Sequence, residues 1–133
     1  MKRLKIFKFK KGQVVDLTTS PEFGCNAIEC GRDRFTLREF KLQDGHDDSI
    51  PYCAILCVND KPICKCFNDG WGGQTELTPL DVRSKAMMAG VTLNLSKYQW
   101  SFHGTTFNVR IDFIADTLAC GLEHIKKVGG IEE

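Results

Sequence analysis

The most regular hydrophobic pattern in the chain is a pair of apolar runs separated by a turn. Residues 52–58 are continuously apolar, residues 63–67 return with a mostly apolar run, and the Asn-Asp-Lys-Pro segment at residues 59–62 has turn chemistry. A strand that is apolar on both faces is covered on both faces. The pattern therefore predicts a β-hairpin over residues 52–67 that lies in the middle of a sheet.

The end of the chain carries the clearest helical pattern. Six apolar residues recur at spacings of three or four positions, namely Phe107, Ile111, Ile114, Leu118, Leu122 and Ile125. This spacing gives one apolar stripe along a helix, and Thr105 or Thr106 can act as its N-cap. We predict a long C-terminal helix whose stripe packs on one face of the sheet.

A shorter helix is predicted after Thr78. Thr78 can act as the N-cap, Pro79 suits the first helical turn, and Asp81 stands where a capping box places an acidic side chain. Gly90 favours a helix end just before it. Residues 91–102 then alternate in part and predict an extended segment.

The first 42 residues predict short strands joined by turns. A basic strand within residues 1–11, a turn at residues 11–12 and a short apolar piece at residues 14–15 come first. A strand around residues 27–28 and another over residues 35–42 follow. The predicted fold class is α+β, with an antiparallel β-sheet and its central hairpin packed against the long C-terminal helix and the shorter helix.

Length and composition fit one globular domain. With 133 residues, 42% of them hydrophobic and 26% charged, we expect a single α+β domain over residues 1–133. No apolar run approaches the roughly 18 residues that span a bilayer, and no signal-peptide core follows the lysine-rich start, so we expect a cytoplasmic protein. The seven cysteines are an odd number, and without an export signal they are expected to be reduced.

The charge of the chain is balanced overall but uneven along it. Eighteen basic and seventeen acidic residues give a net charge of +1, which argues against a strong nonspecific nucleic-acid binder. The basic residues of the amino terminus form a patch without acidic residues: Lys2, Arg3, Lys5, Lys8, Lys10 and Lys11. This basic patch can contact nucleic acid or an acidic partner. The alternative, which we favour, is an exposed edge strand whose lysines deter aggregation.

The least ordinary segment is a glycine-rich loop that consists of Asn68, Asp69, Gly70, Trp71, Gly72 and Gly73. Its glycines allow backbone N–H groups to converge on an anion, and Trp71 offers a flat face for a base, so the loop is a candidate site for a nucleotide or another phosphorylated ligand. The alternative is a structural turn in which Asn68 and Asp69 make local hydrogen bonds and Trp71 packs into the core. We favour this alternative, because the loop lacks the Lys-Ser/Thr ending of a phosphate loop and the spacing of a dinucleotide fingerprint.

Four cysteines lie on the two strands of the predicted hairpin: Cys53, Cys57, Cys64 and Cys66. With a two-residue hairpin loop, all four sulfur atoms would lie on one face of the sheet, where thiolates can bind zinc, and Cys25 and Cys30 are alternative ligands. The spacings are those of extended strands and not of zinc-binding turns, so we favour buried, reduced cysteines that act as small apolar residues. No metal and no cofactor are expected.

The three histidines offer no complete catalytic arrangement. His46 lies in an acidic loop, with the neighbours Asp44, Asp47 and Asp48. A carboxylate can orient an imidazole as a general base. His103 stands beside a glycine, and His124 lies near the end of the predicted C-terminal helix. None has an identifiable nucleophile partner in the sequence, so the pattern does not indicate an enzyme.

Two segments of the chain resemble a group of small uncharacterised proteins encoded by bacteriophages and prophages. The first is residues 53–63 followed by residues 66–73, in which a strand, a turn, a return strand and an Asn-Asp-Gly-x-Gly-Gly loop succeed one another. The second is residues 107–127, a predicted helix with the Ile-Asp pair at residues 111–112. Gln74 stands where many of those proteins have Cys, so a thiol-dependent role does not carry over to that position. The resemblance implies a phage accessory protein and implies no reaction.

These observations lead to three hypotheses of function. The first is a non-enzymatic phage-type accessory protein that binds a host macromolecule, such as an anti-CRISPR-like inhibitor of a host defence protein. The second is a module that captures a nucleotide or another phosphorylated ligand with the glycine-rich loop. The third is nucleic-acid binding through the basic patch at the amino terminus. No membrane partner is expected.

Overall fold

Nine strands and two helices form the part of the chain that the structure, a computed structural model, describes. It describes residues 5–17, 25–42, 51–70 and 74–127, with the backbone alone for residues 124–127. The strands are β1 (Ile6–Phe9), β2 (Val14–Asp16), β3 (Ala27–Cys30), β4 (Asp33–Leu42), β5 (Tyr52–Val58), β6 (Lys61–Asn68), β7 (Glu76–Pro79), β8 (Gln99–Phe102) and β9 (Thr105–Asn108). The helices are α1 (Val82–Leu95) and α2 (Ile111–Lys127).

The strands form two sheets. The larger sheet has six strands in the order β1-β3-β4-β5-β6-β7, and the smaller sheet has three in the order β2-β8-β9. β1 pairs in parallel with β3 and β2 pairs in parallel with β8, whereas the other described strand pairs are antiparallel. The predicted strands on either side of the turn at Gly12 therefore exist, but they enter different sheets.

The predicted fold class is wrong in its balance of helix and sheet. The sequence predicts an α+β fold in which one antiparallel sheet packs against a long C-terminal helix and a shorter one. The described residues are instead mainly β, with nine strands in two sheets of mixed strand direction. The helices α1 and α2 have 14 and 17 residues, so no long C-terminal helix dominates the fold.

The C-terminal helix is shorter than predicted because its first residues form a strand. Residues 105–108 are Thr-Thr-Phe-Asn, and β-branched and aromatic residues favour strands. They pair with β8 across a turn at His103 (φ +49°) and Gly104 (φ +84°). Thr105 and Thr106 therefore do not cap a helix, and α2 begins at Ile111.

The predicted central hairpin is confirmed. β5 and β6 pair with each other inside the larger sheet, with β4 and β7 on their outer sides. Asn59 (φ +51°) and Asp60 (φ +70°) form a two-residue turn, since Val58 pairs directly with Lys61. Positive φ angles at both positions are typical of a type I′ turn, which Asn and Asp tolerate.

Helix α1 begins and ends later than predicted. Asp81 is its N-cap, and one carboxylate oxygen accepts a hydrogen bond from the Ser84 backbone N–H at 2.7 Å. Thr78, the predicted cap, lies in β7. Gly90 lies inside the helix, which continues to Leu95 because that side chain is fully buried in the core.

The core lies between the larger sheet and the helices. Ile111, Ile114 and Leu118 of α2 are 5%, 0% and 0% exposed, which confirms the burial of the middle of the predicted apolar stripe. Phe107, its predicted first residue, lies in β9 and is 43% exposed, and the side chain of Ile125 lies outside the described residues. Phe35 of β4 and Leu56 of β5 are fully buried in the same cluster as Ile114. Neither helix in the described part of the chain is long and apolar enough to cross a membrane.

A stack of aromatic rings attaches the smaller sheet to the rest of the fold. The Trp100 ring of β8 stacks on Phe107 of β9 and on Phe113 of α2, with ring centroids 4.6 and 4.5 Å apart. Phe113 in turn meets the Phe9 ring of β1 edge to face at 6.2 Å. Because Phe9 ends β1, the stack brings the basic patch next to the smaller sheet.

Candidate functional site

The described half of the glycine-rich loop is held by one asparagine side chain. Asn68, Asp69 and Gly70 are described, whereas Trp71, Gly72 and Gly73 lie outside the described residues. Asn68 is 5% exposed, and its Oδ1 accepts a hydrogen bond from the Gly70 backbone N–H at 2.8 Å. Its Nδ2 donates to the Thr75 hydroxyl, beyond the loop, at 3.0 Å. Asn68 thus makes the local hydrogen bonds that the structural interpretation predicts, and the burial of Trp71 stays a prediction.

The base of this loop continues into a polar network that the sequence analysis missed. The hydroxyls of Thr75 and Tyr52 both donate to Oδ1 of Asp116 in α2, the Tyr52 hydroxyl at 2.9 Å. Burial raises the pKa of the Asp116 carboxyl group, and burial followed by the Asp116 charge raises the pKa of Tyr52. Tyr52 belongs to an apolar run and lies 64 positions from Asp116 along the chain, so no local signal indicates their contact.

The described lysines of the basic patch lie on one edge of the larger sheet. β1 is the first strand of that sheet, which confirms the predicted edge strand. Four lysines are exposed on it and just beyond its ends: Lys5, Lys8, Lys10 and Lys11. Lys2 and Arg3 lie outside the described residues. An edge position suits lysines that deter aggregation, and it also leaves their charges open to a partner.

A cleft opens beside the end of β1. Its volume is about 450 Å³, and its lining consists of three lysines, Lys8, Lys10 and Lys11, together with Phe9, Glu29, Gly31 and Tyr98. The lysines come from the basic patch, Gly31 from the turn between β3 and β4, and Tyr98 from the segment between α1 and β8. The sequence indicates only the lysines, because nothing local connects Gly31 or Tyr98 with them.

The cleft carries an excess of positive charge. Its acidic residue, Glu29, accepts two hydrogen bonds from the Arg34 guanidinium at 2.9 and 2.7 Å and lies 3.8 Å from the Lys8 ammonium group. Within the described residues, no ion pair joins Lys10 or Lys11 to a carboxylate. The Glu29 charge is therefore already balanced by Arg34, and the lysines leave the cleft attractive to an anion.

The four hairpin cysteines do not share one face of the sheet. Ile63 is the extra residue of a bulge in β6, and the bulge places Cys64 and Cys66 opposite even-numbered residues of β5. Cys53 and Cys57 are odd-numbered positions of β5, which alternate to the other face. The predicted arrangement of four sulfur atoms on one face is therefore wrong. In the described ranges, no group of three or more His, Cys, Asp or Glu side chains is placed to hold a metal ion.

Among the histidines, only His103 has a described side chain. It lies exposed in the turn between β8 and β9, where its ring meets Phe102 at 4.1 Å between centroids. His46 lies outside the described residues, as do its neighbours Asp44, Asp47 and Asp48. The side chain of His124 also lies outside them. The general-base hypothesis for His46 therefore stays a prediction.

Comparison of the chain with protein-family models, with curated proteins and with solved structures finds no match.

Proposed function

We propose that this chain is a non-enzymatic binding protein that contacts nucleic acid through the basic edge strand β1. One observation carries the proposal: the exposed lysines Lys5, Lys8, Lys10 and Lys11 follow one another along an edge of the larger sheet. Alternate positions of an extended segment are about 6.6 Å apart and lie on one side, as Lys8 and Lys10 do, whereas Lys5 precedes β1 and Lys11 follows it in the turn at Gly12. Four ammonium groups along one edge suit a partner that carries repeated negative charges.

The electrostatics of the strand support a polyanionic partner. Among the described residues, Lys10 and Lys11 form no ion pair, and the nearby Glu29 is engaged by Arg34. Lysines that neutralise phosphates release the counterions of the nucleic acid, and this release is the main source of affinity when bases are not recognised. Because the net charge of the whole chain is only +1, the attraction to nucleic acid comes from the basic patch alone, and we expect modest affinity.

The other two hypotheses are less well supported by the described residues. The hypothesis that the glycine-rich loop captures a ligand is weakened, because the Asn68 side chain makes its hydrogen bonds to Gly70 and Thr75 within the fold. A host protein with an acidic surface fits the same lysine charges as nucleic acid, and it is the competing outcome of the test below. The phage accessory role, including inhibition of a host defence system, stays a prediction with either partner.

Fluorescence anisotropy with short labelled DNA, single-stranded and duplex, tests the proposal. We expect binding to weaken as salt rises, with a slope of log K against log salt of about −3 to −4 for four phosphate contacts. Replacing both Lys10 and Lys11 with Gln should reduce the magnitude of this slope by about 2. Lys65→Gln is the matched control, because Lys65 is exposed on β6 with three strands between it and β1.

A labelled poly-glutamate peptide separates the two kinds of partner. We expect DNA to bind more tightly than this peptide at the same salt concentration. Tighter binding of the peptide would favour an acidic protein and contradict the proposal. The proposal is also wrong if DNA does not bind at low salt, or if Lys65→Gln weakens binding as much as the change at Lys10 and Lys11.

A further inference from the structure

The cleft beside β1 contains a tyrosine hydroxyl that the fold itself does not use. Tyr98 is 3% exposed and lines the cleft. Its backbone is held on both sides, since its N–H donates to the Leu95 carbonyl at 3.0 Å and its carbonyl accepts from the Val109 N–H at 2.9 Å. No described residue forms a hydrogen bond with its hydroxyl. The ring is thus buried, and the hydroxyl is left to donate to whatever occupies the cleft.

Gly31 makes room for this hydroxyl. It has a φ angle of +65° in the turn between β3 and β4, a conformation that favours glycine. A Cβ atom at this position would lie 2.7 Å from the Tyr98 hydroxyl oxygen. Any other residue would therefore press on the hydroxyl and fill the space beside it, so the glycine keeps the hydroxyl accessible from the cleft.

The charges around the hydroxyl suit an oxyanion. Lys8, Lys10 and Lys11 line the same cleft, and the one acidic residue of its lining is already bonded to Arg34. Burial, followed by the nearby Cys30 and Asp33, raises the pKa of the Tyr98 hydroxyl above its ordinary value of about 10, so the hydroxyl is protonated and can donate at neutral pH. The Asp33 carboxylate accepts hydrogen bonds from the side-chain amides of Asn94 and Asn59 at 3.1 and 3.3 Å. Hydrogen bonds from the hydroxyl and the ammonium groups to a charged oxygen are stronger than bonds between neutral groups.

We propose that this cleft binds one phosphate group, with the Tyr98 hydroxyl as a hydrogen-bond donor and Lys10 and Lys11 as the main sources of charge. The inference rests on the proposed function, because it assigns this phosphate to the backbone of the bound nucleic acid. Lysine side chains alone attract a polyanion but do not hold any one of its phosphates at a defined position. A buried tyrosine with a held backbone places one phosphate at a defined point, and phosphate contacts of this kind set the register of a bound strand.

A double-mutant cycle tests whether Tyr98 and the cleft lysines contact the same group. Tyr98→Phe removes the hydroxyl without breaking a hydrogen bond of the fold, so we expect a Tm within about 3 °C of the parent and DNA binding about three- to tenfold weaker. Its effect should be non-additive with that of Lys10→Gln, which alters the same cleft. It should be additive with that of Lys5→Gln, because Lys5 belongs to the basic patch but not to the lining of the cleft.

Inorganic phosphate, compared with chloride at equal ionic strength, is the second probe. We expect phosphate to raise the Tm of the parent protein and to raise that of Tyr98→Phe by clearly less, because Lys10 and Lys11 remain in the variant. If this effect is present but the parent does not bind DNA, the phosphate site stands and the nucleic-acid proposal is wrong. If Tyr98→Phe binds DNA as tightly as the parent, the phosphate site is wrong although nucleic-acid binding stands. If neither DNA nor phosphate binds, both proposals are wrong.

Discussion

Single polar side chains have roles in this structure that differ from those their sequence context indicates. Asn68 belongs to the loop that most resembles a ligand site, yet its oxygen and nitrogen are both bonded within the fold. Tyr98 lies between the polar residues Lys97 and Gln99 and is buried, yet its hydroxyl has no partner among the described residues. A buried side chain can therefore be the better candidate for ligand contact, because what matters is which polar atom remains available.

The Asp116 side chain leads to a prediction about pH and stability. Burial raises its pKa in the folded protein above the ordinary aspartate value of about 3.9. Between the two pKa values the folded protein binds more protons than the unfolded chain, so the free energy of unfolding falls as pH rises through the raised pKa. Asp116→Asn keeps an oxygen that can accept from Tyr52 and Thr75 but does not titrate, so this part of the pH dependence should disappear.

Urea unfolding of the parent and of Asp116→Asn across a pH series from about 4 to 8 measures this difference. The variant serves as the reference, because the other titratable groups are common to both proteins. Parallel pH profiles for the two proteins would mean that Asp116 does not titrate in this range and would contradict the prediction.

At the scale of elements, α1 shows how tertiary packing overrides a local stop signal. Gly90 predicts a helix end, but it lies inside α1, with nothing within 4 Å of the place that a Cβ atom would occupy. We expect Gly90→Ala to raise the free energy of unfolding by about 0.5–1 kcal/mol, because alanine suits a helix interior and restricts the unfolded chain. Thermal unfolding measures the effect.

Gly31→Ala is the contrasting variant for this measurement. Gly31 has a positive φ angle and lies close to the Tyr98 hydroxyl, so the same substitution should lower the Tm there. A lower Tm for Gly90→Ala would instead indicate that the helix ends at Gly90 with a left-handed residue, as the sequence pattern alone predicts.

The elements that could be predicted from the sequence are those whose pattern is local. The apolar runs and turn residues identify the hairpin of β5 and β6, and the apolar stripe from Ile111 to Leu118 identifies α2 and its buried side. β9 could not be predicted in this way, because the spacing of Phe107 and Ile111 fits a helix. Its strand conformation instead depends on its pairing with β8. The parallel pairing of β1 with β3 could not be predicted either, since neither strand carries a pattern that specifies its partner.

At the scale of the whole molecule, the candidate cleft depends on how separate parts of the chain come together. The charge of the basic patch could be predicted, because six basic residues lie within the first eleven positions. The contribution of Gly31 and Tyr98 to the cleft could not be predicted from the sequence, because these two residues come together only where the turn after β3 meets the segment after α1. The aromatic stack of Trp100, Phe107 and Phe113 also forms only in the folded molecule, since it joins the smaller sheet to α2.

The distribution of the cysteines over the molecule gives a prediction about thiol reactivity. Five of the seven cysteines are buried, Cys53 is partly buried and Cys120 is exposed. Burial raises the pKa of Cys25 and of Cys120 to about 11 and that of Cys30 to about 12, so all three thiols are protonated at neutral pH and solvent exposure, not pKa, ranks their reactivity. A thiol reagent should therefore react fast with Cys120, more slowly with Cys53, and with all seven thiols only after unfolding.

Absorbance-monitored titration of the native and denatured protein measures these phases. Cys120→Ser should remove the fast phase, whereas Cys57→Ala, a change at a buried position, should leave it intact. Fast reaction of all seven thiols in the native protein would show that solvent enters the core between the sheet and the helices. Fewer than seven thiols in denaturant without reductant would show that disulfides form, because a thiol lost in this way is not restored by unfolding.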